Sequence, residues 1–342
     1  MNQKMIGLAL VAILAMGLIV IAGQFRDRPE PDNQVGQAVL KDLKARLDDV
    51  VRLRLSSGGV ESTLERHDEG WQVVEKDGYP VKFEKLSGFL IGLAGATYVE
   101  RKTSRPENFA TLGVSDVTEQ DSTSLLVRIE TGAASANESL AEKWQLLIGD
   151  QSAGMSGRFV REPGLSQVWL ASGIGVADSA PEKWIDDKIL HIDAEHVSRT
   201  NYTAETGDTL VAMRDEESDE FVLVNVPEGA ELKYDTIAGT LARALVNVSA
   251  IDVRKRIGSW ENVSTAEFRI DDGSRIMVYA MTEETGEHWL RVDVSAAEVP
   301  IEAVSALHQG RLASWEFRVA EHTWEQFTRT MDDMIESGTQ ES

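Results

Sequence analysis

Cysteine is absent from all 342 residues, which excludes disulfides, thiolate metal sites, a cysteine nucleophile and the lipid-bearing cysteine of a lipoprotein. Positive charge is scarce as well: 34 Lys and Arg stand against 57 Asp and Glu, a formal net charge of -23. Nucleic acids and anionic membrane surfaces reward clustered Lys and Arg, so neither is an expected partner. The chain also lacks a Gly-rich phosphate loop with its lysine, a GxSxG elbow and an HExxH helix. Apolar residues, by contrast, make up 42% of the chain. That suffices for real cores, and the length fits roughly two domains at ~100–200 residues each.

From Met5 to Phe25, MIGLALVAILAMGLIVIAGQF carries no charge, and at about 1.5 Å per residue it covers the ~30 Å hydrocarbon core. Residues 5–25 are therefore expected to form a transmembrane helix in the lipid bilayer, behind a short cytoplasmic tail at 1–4. Lys4 ahead of the run and Val20-Ile21-Ala22 near its end also suit a cleaved signal peptide. Signal cores, however, hold only about 7–15 apolar residues. Lys4 and the amino terminus on one side nearly balance Arg26 and Arg28 on the other. Orientation then rests on the shortness of the tail, which favours the N-terminus inside.

RDRPEPDNQVGQ follows, with two prolines and little apolar periodicity, and residues 26–38 read as a linker. Beyond it, VVRLRL, the SSGG turn, STLER and WQVVE predict a short antiparallel meander over Asp49 to Val74. A helix is expected from Lys82 to about Ala94, with Leu86, Leu90 and Leu93 on one face. The same order returns about 150 residues later: Val51 aligns with Val197, Leu64 with Leu210, Trp71 with Phe221, and Lys82-Phe83-Glu84 with Lys233-Tyr234-Asp235. Strands follow in each copy, and each closes on an amphipathic segment, around Trp184 and Trp324. The expected fold class is α+β: the transmembrane helix, then two similar repeats at 39–196 and 197–338, each an antiparallel sheet with packed helices, and a disordered tail at 339–342.

Candidate chemistry is thin. In a strand, His191, Asp193 and Glu195 would share one face at period two, the best metal-ligand pattern available. Solvated polar residues on an edge strand make the same pattern, and the first copy offers Ala45, Leu47 and Asp49 there. The pairs Asp186-Asp187, Asp271-Asp272 and Asp332-Asp333 suggest shared-proton carboxylates, yet strand neighbours point to opposite faces and Asp271-Asp272-Gly273 reads as a turn. Glu100-Arg101-Lys102 and Val253-Arg254-Lys255-Arg256 read as solvated strand ends, with a polar contact to a partner as the alternative. The eight tryptophans fall mostly within apolar alternation, which favours core packing over a sugar-stacking surface. Trp324, Phe327, Met331 and Met334, spaced by three or four, would dock on their own domain or on a partner. No residue is assigned a catalytic, cofactor-binding or metal role.

LERHDEGWQVVEKDGYPV and the stretch ERKTSRPENFATLGV, with Thr103, Pro106, Asn108 and Leu112-Gly113-Val114, resemble the bacterial domain of unknown function 4340 family and its KT..PENYA.LGV pattern. The likeness continues through LLIGD, GRFVREPGLSQVWLAS and EKWIDDKIL to LASWEFRVAEHTWEQFTRTMDDMI, similar to the family's closing GWEYKIP strand and helix. Ser314 stands where the pattern has Gly, and Glu321-His322 replaces a more basic stretch. The resemblance implies an envelope protein encoded beside ABC-type transporters of the gliding-motility class, with no catalytic residues to carry over. It makes the expected location a bacterial inner membrane with the body on the periplasmic side. The expected function is a non-catalytic auxiliary subunit touching ABC-type transporter subunits. The alternatives are a ligand-binding module using the cleft between the copies and a membrane-tethered hydrolase. If residues 5–25 are an anchor, intact mass of the mature protein includes them; a chain beginning at Gly23 would refute it.

Overall fold

The computed structural model describes residues 34–132, 141–305, 307 and 309–336. The expected span at 5–25 lies outside these, and among them no helix is long and apolar enough to cross a membrane. Two antiparallel sheets dominate. The first is built from β1 (Val50–Ser57), β2 (Val60–His67), β3 (Gly70–Val73), β4 (Tyr79–Pro80), β5 (Thr97–Arg101), β6 (Leu125–Thr131), β7 (Ala141–Gln151), β8 (Arg158–Arg161) and β9 (Val168–Ser172). A short β10 (Lys188–Leu190) connects onward to β11 (Val197–Thr203), β12 (Thr209–Arg214) and β13 (Phe221–Leu223). Then come β14 (Val248–Ser249), β15 (Asp252–Lys255), β16 (Ser264–Ile270), β17 (Arg275–Thr282), β18 (His288–Ser295) and β19 (Trp315–Val319).

The predicted meander is present as β1, β2 and β3. Gly58 and Gly59, at φ of 56° and 79°, make the two-residue turn that closes Ser57 on Val60. Across the first sheet the order is β4-β3-β2-β1-β6-β7-β8-β9-β5, and across the second β13-β12-β11-β16-β17-β18-β19-β15. Strip β4 from the first and the two orders coincide. Even the irregularities correspond: β1 breaks register between Val50 and Arg52, and β11 between Val197 and Arg199. Val197 therefore matches Val50 rather than Val51. The partner of Leu64, which faces Leu53, is Ala212, which faces Thr200, rather than Leu210. Trp71 and Phe221 do correspond, paired with Arg66 and Arg214. A single-residue slip matters, because period two would exchange the two faces of the strand.

The helices differ more than their sequences suggest. α1 (Phe83–Gly95) buries Leu86, Phe89, Leu90, Leu93 and Ala94, the face anticipated. Its counterpart is only α2 (Gly239–Ala242), followed by a 3-10 turn at Arg243–Leu245. The bonds Ile237 N to Tyr234 O and Thr240 N to Ile237 O, at 3.1 and 2.9 Å, are three-residue bonds. β-Branched Thr236, Ile237 and Thr240 around Gly239 disfavour a regular helix. The closing segments correspond closely: the Lys82 amide donates to Trp184 O at 2.8 Å and that of Lys233 to Met334 O at 3.0 Å. Val81 bridges to Ile185, and Leu232 to Ile335. Met334, not Trp324, thus takes the place of Trp184. The remaining helices, α3 (Glu302–Ser305), α4 (Gln309–Ser314) and α5 (Glu321–Glu325), are one or two turns long.

One hydrophobic cluster runs through both sheets. Its junction is Tyr79 of β4, fully buried, whose ring meets Trp315 edge-on at 4.8 Å and Phe317 at 6.4 Å, both in β19. The hydroxyl donates to Asp186 O at 3.2 Å, and burial pushes its pKa far up. Around it, Lys76 pairs with Asp252 at 2.6 Å, the Ala250 amide donates to Asp187 O at 2.8 Å, and β10 pairs with β14. Removing the ring leaves a cavity in a shared core. Tyr79→Ala should cost the full chain about 3–5 kcal/mol in equilibrium denaturation. Tyr79→Phe, which keeps the ring and loses one hydrogen bond, should cost about 0.5–1.5 kcal/mol; equal losses would show that packing at the junction is not the cause.

Candidate functional site

Charged residues in the middle of apolar strands are the first places to seek chemistry. Glu316 of β19 is 1% exposed. Its carboxylate accepts from Arg254 Nε at 2.6 Å, from the Ile257 amide at 3.2 Å and from Arg291 Nε at 3.0 Å. Arg291 of β18 then donates to Ile257 O and Gly258 O at 2.6 and 3.0 Å, and the Trp260 ring lies 4.1 Å from its guanidinium carbon. Arg254 stacks on Trp289 at 3.8 Å and pairs with Glu283 at 2.6 Å. A buried carboxylate is costly unless its lone pairs are filled. Here two guanidiniums and an amide fill them, and the network pins the loop after β15 across the sheet. Arg254 is thus a half-buried partner of Glu316 rather than a solvated strand end. Arg256 pairs with Asp293 at 2.9 Å.

In the first sheet, Arg161 of β8 does comparable work. It donates to Val114 O and Leu165 O at 2.8 and 3.0 Å, and its guanidinium lies 4.5 Å from the Phe109 ring centre. It thereby holds down the loop carrying PENFATLGV. Within that loop, Asn108 Nδ2 and the Arg105 amide both donate to Thr103 Oγ1, at 3.2 and 3.1 Å. Pro106 starts a 3-10 turn, Gly113 takes φ 65°, and Val114 is buried with Phe109 and Val168. Gly149 of LLIGD lies so close beneath that an added Cβ would meet Leu112 O at 2.2 Å. Each of these motif residues has a packing or hydrogen-bonding task.

A concavity of about 750 Å³ lies where the halves meet. Ile189, Leu190, Val248, Ala303 and Leu307 supply its apolar wall, and Lys188, His191, His196, Glu302 and Arg311 its polar one. Arg311 is already engaged: it pairs with Asp186 and donates to Lys188 O at 2.8 Å. The arrangement has room for a small molecule, but its arginine is committed to the fold.

The predicted strand through His191 to Glu195 is not formed. β10 stops at Leu190, 191–193 is irregular, and 194–196 is a 3-10 turn. The alternation that would have aligned three ligands is therefore lost. His191 Nε2 comes within 4.0 Å of Asp193, both side chains being about 60% exposed, and Glu195 points elsewhere, 3.9 Å from His196. Among the described residues no group of three His, Asp or Glu is placed to hold a metal. The acidic pairs separate as their positions require: Asp186 to Arg311, Asp187 to Lys82 at 2.8 Å, and Asp333 into a capping box with Thr330. No tryptophan is exposed. In the closing segment Phe327 and Met334 are buried and Trp324 stacks on His288 at 4.7 Å, so it docks on its own domain.

Sequence reasoning passed over Arg161, Arg291, Arg311, Glu316 and Tyr79. For Arg161, Arg291 and Glu316 the available signal was a charge at mid-strand, as in WLRVDV and WEFRV, where only a partner offsets burial.

Sheet, loops and cores together define a body built mostly of antiparallel sheets with few helices. Its family is equally definite: the chain belongs to domain of unknown function 4340, whose model matches residues 71–269. No curated protein and no solved structure matches it.

Asp272 offers a test of how the acidic turns work. Partial burial acts to raise its pKa, but the Ile301 and Ser274 amides, at 2.7 and 2.6 Å, outweigh that and hold it below the ordinary 3.8. Because the folded-state value is the lower, the ionised group's stabilisation is present above about pH 4 and is lost as pH falls through the folded value. Asp272→Asn should therefore flatten the decline in stability below pH 3.8, read by denaturant melts across that range. An unchanged slope rules the linkage out.

Proposed function

We propose that this protein is a non-catalytic, single-pass envelope protein whose body acts by contact with other proteins, as an auxiliary subunit of an ABC-type export system. The observation that carries the reading is that motif residues and buried charges alike serve architecture. Thr103, Asn108, Gly113 and Gly149 shape a loop, and Arg161, Arg291 and Glu316 pin loops to sheets. The charge-free run at 5–25 supports the anchor, and the body already begins at 36–38, where Gly36 and Gln37 bond to Tyr98 and Ala38 bridges to Thr97. The shared strand order, the shared bulge and the paired closing bridges support two repeats of one unit. The transporter association comes from the family resemblance. A second reading, a ligand-binding module, draws support from the cavity between the halves, since such junctions are common pocket sites.

Co-purification from detergent-solubilised membranes tests the leading reading, which expects integral-membrane transporter subunits with the full chain. His191→Ala, Asp193→Asn and Glu195→Gln should leave cellular function intact and stability within about 0.5 kcal/mol. Recovery without transporter subunits, or loss of function in a folded His191→Ala, sinks it.

A further inference from the structure

On the outer face of the second sheet, three arginines stand directly opposite one another. Arg199 of β11 faces Arg269 of β16, which faces Arg275 of β17, and all three are exposed. Like charges in register across adjacent strands, about 4.8 Å apart, repel and cost stability. Among the described residues Arg269 meets Glu267 at 3.1 Å, while Arg199 and Arg275 have no carboxylate partner. Such a ladder in a chain of net charge -23 calls for a cause.

The first sheet shows what the same position looks like when the charge is compensated internally. The common bulge puts Arg52 in the place of Arg199, and Arg52 is flanked by Glu65 at 2.5 Å and Glu130 at 2.9 Å. In the second sheet both carboxylates are gone: Glu65 becomes Met213 and Glu130 becomes Arg269. The row continues outward to Val222, which pairs with Met213. Gln72 holds that place in the first sheet, paired with Glu65. Met213 and Val222 are 40% and 43% exposed, and β13 is the outermost strand, without the counterpart of β4 that closes the first sheet. The row Val222, Met213, Arg199, Arg269, Arg275 is thus apolar at one end and cationic at the other.

We infer that this row is a docking strip for an acidic amphipathic segment of a partner protein, carboxylates over the arginines and an apolar side chain over Met213 and Val222. A helix crossing the strands presents one side chain per turn, about 5.4 Å, close to the strand spacing, so Glu residues a turn apart meet successive guanidiniums. Arginine suits the task, because its planar fork binds carboxylate in bidentate fashion. An anionic bilayer is disfavoured by the surroundings: Glu267 and Asp293 share the face, and Glu216, Glu217, Asp219 and Glu220 crowd the turn between β12 and β13. A broad negative surface would meet those acids, whereas a narrow segment passes between them. The inference rests on the reading that the body works through protein contact, and adds the chemistry of the contact.

The test uses the full chain in detergent and a labelled helical peptide bearing glutamates one turn apart with leucines at one end. Binding is expected, weakening with salt, and Arg199→Glu or Arg275→Glu should reduce affinity by about tenfold or more. Arg199→Glu sets a carboxylate opposite Arg269, the reverse of Arg52 opposite Glu130, so its Tm should rise while binding falls. A lower Tm would make the ladder a structural feature and overturn the proposal. So would unchanged peptide binding in both variants, equal binding of a lysine-for-glutamate peptide, preference for phosphatidylglycerol vesicles, or a dimer of this chain that dissociates on Arg275→Glu. Transporter subunits recovered undiminished with Arg199→Glu would overturn this strip alone, whereas their absence from the wild type would overturn the wider reading.

Discussion

Tyr79 has to be buried against β19 because two sheets, each apolar on one face, share a single core. The first sheet carries one strand more than the second, and that strand, β4, brings the ring to Trp315 and Phe317. Everything at the junction follows from this placement: Asp186 receives the hydroxyl and pairs with Arg311, Asp187 takes Lys82, and β10 reaches β14. The cavity beside it exists because the connecting segment must bridge the two sheets after their cores have met. The second sheet, having no such added strand, leaves β13 open.

Charge is distributed by the same logic. A strongly acidic chain has acids to spare on its surface and few bases, so each buried base has a use. Arg161 and Arg291 accept burial because backbone carbonyls, aromatic faces and, for Arg291, Glu316 replace water around them. Both pin a loop over the outer face of their sheet, and both stand on the strand next to β9 or β19. The exposed ladder of Arg199, Arg269 and Arg275 breaks this rule. Three bases stand in one row there, and among the described residues Arg199 and Arg275 have no carboxylate partner.

Turn chemistry and alternation were legible wherever they are local. Gly58-Gly59 dictates a two-residue hairpin, and the spacing of Leu86, Leu90 and Leu93 marks the face of α1 before any partner is known. The His191 segment departs from that alternation because its strand pairing stops at Leu190: Ile192 bonds singly to Leu245 O, and 194–196 close into a 3-10 turn. The one-residue error between Val51 and Val197 has a similar origin. A bulge is a relation between strands, so Val50 and Val197 reveal it only through Thr131 and Ile270.

By itself the sequence determined the charge-free run at 5–25, the acidic surface, the absence of thiol chemistry, the strands of the meander and the family motif, since each depends on residues near one another in the chain. Only the tertiary structure decided which side chains meet. Glu316 lies 62 residues from Arg254, and Arg311 lies 125 residues from Asp186. Thr103 and Asn108 read as a motif, but their task appears only when Arg161 and Gly149 arrive from other strands. The arginine ladder is of the same kind: three ordinary surface residues in sequence, made unusual by antiparallel register, which sets like charges side by side.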